Sequence, residues 1–275
     1  MDEVRLGLML FSESNVVDMV ADHYDMLGIS AQEAGKLREL FGKRYQLIEH
    51  DRVFHNAPSA LPYCYSAQKP AEGLAFVYSP KKLNSKTPAL VFLHGYGGSF
   101  VWSQQLLAEA FPDDLIICPA YGISSGTMPP AYLLECLDAV GARIGQRVQR
   151  PVLMGLSAGG FGAARIFGQA TNKFSRLIVL AAYPLMDALP YLNKNMSVRY
   201  LVGSREYYVQ SGVFNRCMQT IGPRVGDLRF QSIADGDHFF MLEKKEETMK
   251  VLRDWVEEPA PSATPAKKES RKAAR

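Results

Sequence analysis

Cysteine is scarce: Cys64, Cys118, Cys136 and Cys217 are spread through 275 residues, and no two form a Cys-x-x-Cys pair. That spacing argues against a metal or dithiol redox motif and leaves buried free thiols as the simpler reading. No apolar run approaches the length of a membrane span, and the chain opens on Met1-Asp2-Glu3 instead of a basic leader segment. A cytoplasmic protein without a membrane span is therefore expected. Three of the five histidines, His23, His50 and His55, lie in the N-terminal region without spacing such as His-x-x-x-His, so neither a metal nor a cofactor is expected. Charge of one sign is also in short supply. The formal net charge is +3, but residues 259–275 hold Lys267, Lys268, Arg271, Lys272 and Arg275 against Glu269 alone, and removing them leaves a body just on the acidic side of neutral. Such a body offers no basic stripe for nucleic acid, and none is expected as a partner. No internal repeat is visible.

What is present suits one sizeable α/β domain, with 47% hydrophobic and 21% charged residues. Residues 12 to about 50 carry apolar positions at helical spacing (Val16, Val17, Met19, Val20 and Tyr24, then Leu37, Leu40 and Phe41), with Ser30 before Ala31-Gln32-Glu33 as a cap. Residues 1–60 are accordingly expected to form a helical N-terminal extension whose first role is packing, ahead of a partial lid or an oligomer contact. From residue 61 onward, short apolar runs alternate with helical patterns, the signature of a mostly parallel sheet with helices on both faces. Strands are expected at Tyr63–Tyr65, Leu74–Tyr78, Pro88–Leu93, Leu115–Cys118, Pro151–Met154, Arg176–Ala181, Ser197–Val202 and Leu228–Ile233, eight in all. Pro130–Ile144 has proline at its start and an apolar face of Leu133, Leu134, Leu137, Val140 and Ile144, and a closing helix is expected over Met241–Val256. The segment 259–275 is rich in proline and charge and lacks apolar anchors, so it is expected to be a disordered basic tail.

The chemistry concentrates at three places. Pro151-Val152-Leu153-Met154 runs into Gly155-Leu156-Ser157-Ala158-Gly159, a pattern that places a serine on a sharp strand-to-helix turn where flanking side chains must be absent. Pro88–Leu93 ends in His94-Gly95-Tyr96-Gly97-Gly98, a glycine-rich turn able to aim backbone N–H groups at a developing oxyanion. After the serine, Ser197–Val202 leads into Gly203-Ser204-Arg205-Glu206, and Asp235-Gly236-Asp237-His238-Phe239 supplies a late histidine.

Nucleophile, acid and histidine in that chain order resemble the α/β-hydrolase superfamily, over roughly residues 73–257. The resemblance is to compact serine esterases of the feruloyl-esterase, polyester-depolymerase and predicted-peptidase kind. It implies an α/β-hydrolase domain over residues 61–258, with Ser157 as nucleophile and His238 as general base. Glu206 stands where the family places its orienting acid. The family more often carries aspartate there, so Asp235 and Asp187 stay open beside it, whereas Asp237 adjoins the histidine too closely to reach its ring. The oxyanion hole would combine the backbone N–H of Ala158 with that of Tyr96, Gly97 being the alternative donor. Tyr207, Tyr208, Phe239 and Phe240 flank the acid and base, as core packing or as lining for an apolar acyl pocket. Only about fifteen residues, Tyr183 to Ser197, occupy the place where the family inserts its lid, so no large cap is expected there. The implied activity is hydrolysis of a carboxylic ester on a small-molecule acyl substrate. A thioesterase, peptidase or acyltransferase would use the same residues, and a hydrolase-like ligand-binding or partner-binding protein without turnover would also retain them.

Overall fold

A computed structural model of the chain describes residues 7–8, 10–22, 30–65, 69, 71, 73–97, 101–184 and 186–259. Tyr24, the side chain of Val20 and all of the tail except Pro259 lie outside them. The N-terminal region forms helices α1 (Glu13–Asp22) and α2 (Ala31–Glu49). Ser30 starts α2 with a reciprocal cap: its hydroxyl accepts from the Glu33 N–H at 3.2 Å, and the Glu33 carboxylate accepts from the Ser30 N–H at 2.7 Å. A cap of this kind contributes about 1 kcal/mol. Ala34, Leu37, Phe41, Tyr45 and Ile48 recur at helical spacing and are buried, whereas Met19 on α1 is 52% exposed and does not belong to the apolar face.

The expected strand at Tyr63–Tyr65 is instead a short helix, α3 (Leu61–Tyr65), opened by the Ala60 carbonyl, which accepts from the N–H groups of Tyr63 and Cys64. Pro62 sits in its first turn, where a missing N–H costs nothing, and that context overrides the strand preference of the tyrosines. The sheet among the described residues accordingly has seven strands, one fewer than expected, in the order β1-β3-β2-β4-β5-β6-β7. They are β1 (Ala75–Tyr78), β2 (Ala89–Leu93), β3 (Leu115–Pro119), β4 (Val152–Leu156), β5 (Arg176–Leu180), β6 (Ser197–Gly203) and β7 (Asp227–Ile233). Only β1 runs antiparallel.

Alternation along each strand splits the core into two layers. Leu90, Phe92, Val152, Met154 and Ile178 face α1, α2, α4 (Val101–Ala110) and the C-terminal helix. Val91, Leu93, Leu153, Leu177 and Val179 face α5 (Pro130–Ile144), α6 (Ala158–Gln169) and, beyond the short α7 (Tyr207–Gln210), α8 (Val213–Ile221). β2, β3, β5 and β6 are buried throughout, and β4 is buried up to Leu156 at its site end, as a sheet covered on both faces requires. The closing helix is broken at Lys244, giving α9 (Phe240–Glu243) and α10 (Lys245–Glu257). Among the described residues no helix is long and apolar enough to cross a membrane. Because β2, β4, β5, β6 and β7 are parallel, the loops that follow them gather at one edge of the sheet, where such folds hold their ligands.

Candidate active site

Ser157 sits between β4 and α6 with φ 53° and ψ −121°, a conformation that L residues rarely adopt. The turn is held from the next strand, because the Ser157 N–H donates to the Leu180 carbonyl at 2.8 Å. It is possible only with glycine on either side. A Cβ on Gly155 would stand 2.2 Å from the Gly159 carbonyl oxygen, and one on Gly159 would stand 2.2 Å from that of Leu93. The serine side chain is thereby raised above the sheet edge at the head of α6, whose first N–H, that of Ala158, has no recorded partner among the described residues.

Two further loops meet it there. His238, after β7, places Nε2 3.0 Å from the Ser157 hydroxyl and donates its Nδ1–H to Glu206 Oε2 at 2.8 Å. The second Glu206 oxygen accepts from the Gly203 N–H at 2.9 Å. A carboxylate so bonded fixes the imidazole orientation and its tautomer, leaving Nε2 free to accept from the serine. The Glu206 side chain is 2% exposed and that of His238 42%, so the acid is buried beneath a histidine that still meets solvent. Tyr208 lies against the same carboxylate; burial, then the Glu206 charge, push its hydroxyl pKa far up. Gly203 matters again, since a Cβ there would stand 2.4 Å from the Gly236 carbonyl and hold the two loops apart.

Of the acids left open by the sequence, Glu206 is the one bonded to the histidine. Asp235 is exposed in a left-handed turn (φ 53°), its N–H bound to the Ser204 hydroxyl at 2.9 Å. The side chain of Asp187, in a 3₁₀ turn spanning Met186–Tyr191, lies outside the described residues. Asp237 turns the other way, to Lys36 at 2.7 Å.

The glycine-rich turn after β2 passes directly over the serine: a Cβ on Gly95 would lie 3.5 Å from Ser157 Cβ. His94 braces that turn from below. It is buried, its Nδ1–H donates to the Gly95 carbonyl at 2.8 Å, and Nε2 accepts from the Tyr121 N–H at 3.3 Å. Gly97 does not serve as the alternative donor, because its N–H is spent on the Ile123 carbonyl at 2.7 Å. That bond pairs Tyr96 with Ser124 in a single antiparallel bridge. The Tyr96 N–H has no recorded partner among the described residues.

The four flanking aromatics divide. Phe240 is fully buried, Tyr207 is 82% exposed, Tyr208 packs its ring on Tyr183 and Phe214, and Phe239 stands edge-on to both His238 and Phe41. Sequence reasoning missed the contacts made by the N-terminal helices. Glu13 is buried and accepts from the Val101 N–H at 3.0 Å and the Tyr45 hydroxyl at 2.9 Å, while Val16 Cγ1 lies 3.9 Å from where a Gly97 Cβ would stand. Glu13 stands among Ser14, Asn15, Asp18 and Asp22, so nothing in the local sequence set it apart from the solvent-facing polar residues. Among the described residues no three His, Cys, Asp or Glu side chains cluster as a metal site.

A family model described as alpha/beta hydrolase family matches residues 90–268. The chain belongs to the α/β-hydrolase family. Solved structures of similar fold include a predicted CIB-like hydrolase from Thermoplasma acidophilum, at 18% identity and a TM-score of 0.54, covering 69% of this chain and 95% of that one. Est1E from Butyrivibrio proteoclasticus, with ferulic acid bound, matches at 15% identity and a TM-score of 0.51 over 67% of this chain and 95% of that one. Esterase 2 of Thermogutta terrifontis, phosphonylated by sarin, matches at 12% identity and 0.51 over 67% and 89%. At these identities the likeness is one of fold. No curated protein sequence matches this α/β hydrolase.

Proposed function

We propose that this α/β hydrolase cleaves carboxylic esters through a covalent acyl-enzyme on Ser157. The observation that carries the reading is the continuous hydrogen-bonded series from the Ser157 hydroxyl through His238 to the buried Glu206. Serine is a weak nucleophile at neutral pH, so His238 Nε2 takes its proton as Oγ attacks the ester carbonyl. Glu206 keeps the Nδ1 proton in place and stabilises the imidazolium that forms. The oxyanion is bound by the N–H groups of Ala158 and Tyr96, the first strengthened by the N-terminus of α6. Collapse of the tetrahedral intermediate returns the proton from His238 to the departing alkoxide. Water, deprotonated by the same imidazole, then attacks the acyl-enzyme and releases the acid, with Ser157 regaining its proton. Est1E, which binds ferulic acid, makes aryl-acyl esters a useful arm of a substrate panel.

The test is steady-state turnover of activated esters of increasing acyl length, with a feruloyl ester and a peptide amide alongside, combined with fluorophosphonate labelling. Ser157→Ala abolishes both turnover and labelling while leaving the melting temperature nearly unchanged; undiminished turnover in that variant sinks the mechanism. Glu206→Gln lowers kcat by roughly three orders of magnitude with little change in KM, and Asp235→Asn by less than about tenfold. A crippled Asp235→Asn beside a near-normal Glu206→Gln reassigns the acid.

A further inference from the structure

The loop that carries His238 is held from two sides. On one side the acid loop grips it: the Arg205 N–H donates to the Gly236 carbonyl at 2.9 Å, and the Arg205 guanidinium lies 3.3 Å from Asp237 Oδ2. On the other side stands α2. Lys36 Nζ lies 2.7 Å from Asp237 Oδ2 and 2.7 Å from Glu243 Oε2, bridging the residue before the histidine to the end of α9. Five residues along the same helix, Phe41 meets Phe239 edge-on at 6.0 Å and Trp102 of α4 at 5.2 Å. Asp237 Oδ1 meanwhile accepts from the Phe239 N–H at 2.8 Å, closing the turn around His238 from within. The helix therefore contacts the residues immediately before and after the histidine.

We propose that Lys36 is a positioning residue for His238, and that the N-terminal helix pair acts through it as a brace for the histidine loop. The proposal rests on the assignment of His238 as general base. The physical argument is one of partly shielded charge. The Lys36 and Asp237 side chains are 32% and 21% exposed, so their bond is screened less than a surface pair, and it has a fixed geometry because both partners are anchored at two points. Burial alone would raise the Asp237 carboxyl pKa, but Lys36, the Phe239 N–H and Arg205 outweigh it and hold the group ionised. Without the ammonium, Asp237 and Glu243 face each other across the loop with Arg205 as their remaining counter-charge. Their repulsion then bears on the backbone that sets the distance from His238 Nε2 to Ser157 Oγ. An error of an ångström in such a distance costs on the order of a hundredfold in rate.

Lys36→Met keeps the apolar stem that covers the loop and deletes the charge, so the fold is retained. Two readouts are taken on the whole protein. The first is kcat for an activated ester per active site titrated with a fluorophosphonate. The second, which needs no turnover, is the resonance of the His238 Nδ1 proton, moved downfield by its carboxylate bond. The expected result for Lys36→Met is a kcat per titrated site about tenfold lower with KM within about twofold, and a broadened or upfield-shifted Nδ1 proton. Lys36→Arg recovers most of both. Lys36→Met combined with Asp237→Asn is no slower than Asp237→Asn alone, because the two act through one contact. Lys43→Ala, which removes an exposed pair on the same helix, changes neither readout. An unchanged Nδ1 resonance and kcat in Lys36→Met, or losses that multiply in the double variant, overturns the brace. A parent protein without turnover overturns the ester-hydrolase reading instead and leaves the resonance to decide the brace.

Discussion

At the scale of single residues, the environment of His94 sets its charge. It opens the glycine-rich turn after β2, yet it is buried with both ring nitrogens engaged by backbone. Burial holds its pKa down to about 4, with the bond to the Gly95 carbonyl opposing it, so it is neutral at working pH. In the unfolded chain the same imidazole takes up a proton below about pH 6.5. Between the two values the unfolded state binds more protons, so stability falls as pH drops from about 6.5 towards 4 and is intact above that window. By pH 5 this single group is expected to cost roughly 2 kcal/mol. Chemical denaturation of parent and His94→Gln at pH 7.5 and pH 5 checks it: the difference between them shrinks at the lower pH. Parallel profiles would mean that the folded protein protonates His94 freely. Glu206 and Asp237 give the complementary lesson. Asp237 adjoins His238 in sequence and Glu206 lies 32 positions before it, yet it is the distant acid that turns to Nδ1 while the neighbour turns to Lys36.

Among the elements, the strand–turn–helix around Ser157 carries a steric requirement set by backbone on both sides. Gly159 brings α6 against the end of β2, where a Cβ would stand 2.2 Å from the Leu93 oxygen and 2.4 Å from that of His94. Both are backbone atoms of a buried strand end, so neither can give way cheaply. Gly159→Ala is expected to lose on the order of 3 kcal/mol and most of its turnover, because the helix must move away from the glycine-rich turn. Gly35, inside α2, meets nothing within 4 Å of its missing Cβ. Gly35→Ala is therefore expected to raise stability by about 0.5–1 kcal/mol through helix propensity alone. Thermal melts of the two variants make the comparison, and an unchanged Gly159→Ala would show that the turn is packed more loosely than its geometry indicates. The pattern Gly155-Leu156-Ser157-Ala158-Gly159 was legible in sequence because the steric demand is local. The helical character of Leu61–Tyr65 was not, because aromatic residues at that length suit either state and Pro62 decided it by position.

Across the whole molecule, the end of the sheet opposite the site is closed by charge. Arg199, fully buried, lies 2.8 Å from Asp227 and 2.7 Å from Glu258, and Arg176 donates to Ser197 and to the carbonyls of Trp255, Glu258 and Pro259. This network ties the end of α10 beneath β5, β6 and β7. Glu258→Gln is expected to destabilise by on the order of 2 kcal/mol, since it leaves buried arginine charge with one carboxylate fewer. Truncation after Pro259, which keeps the last of these contacts, is expected to leave both melting temperature and kcat unaltered; a loss of either would show that residues 260–275 dock on the body. The sequence alone determined the alternation of strands and helices, the strained serine turn and the order of serine, acid and histidine, because each depends on spacing along the chain. Tertiary structure alone decided that Glu206 meets His238, that Gly97 is occupied by Ile123, and that Lys36 reaches a loop 201 positions away. Those are contacts between segments whose separation in sequence carries no trace of their distance in space, and they exist only once two-sided burial of a parallel sheet has brought its loop ends to one edge.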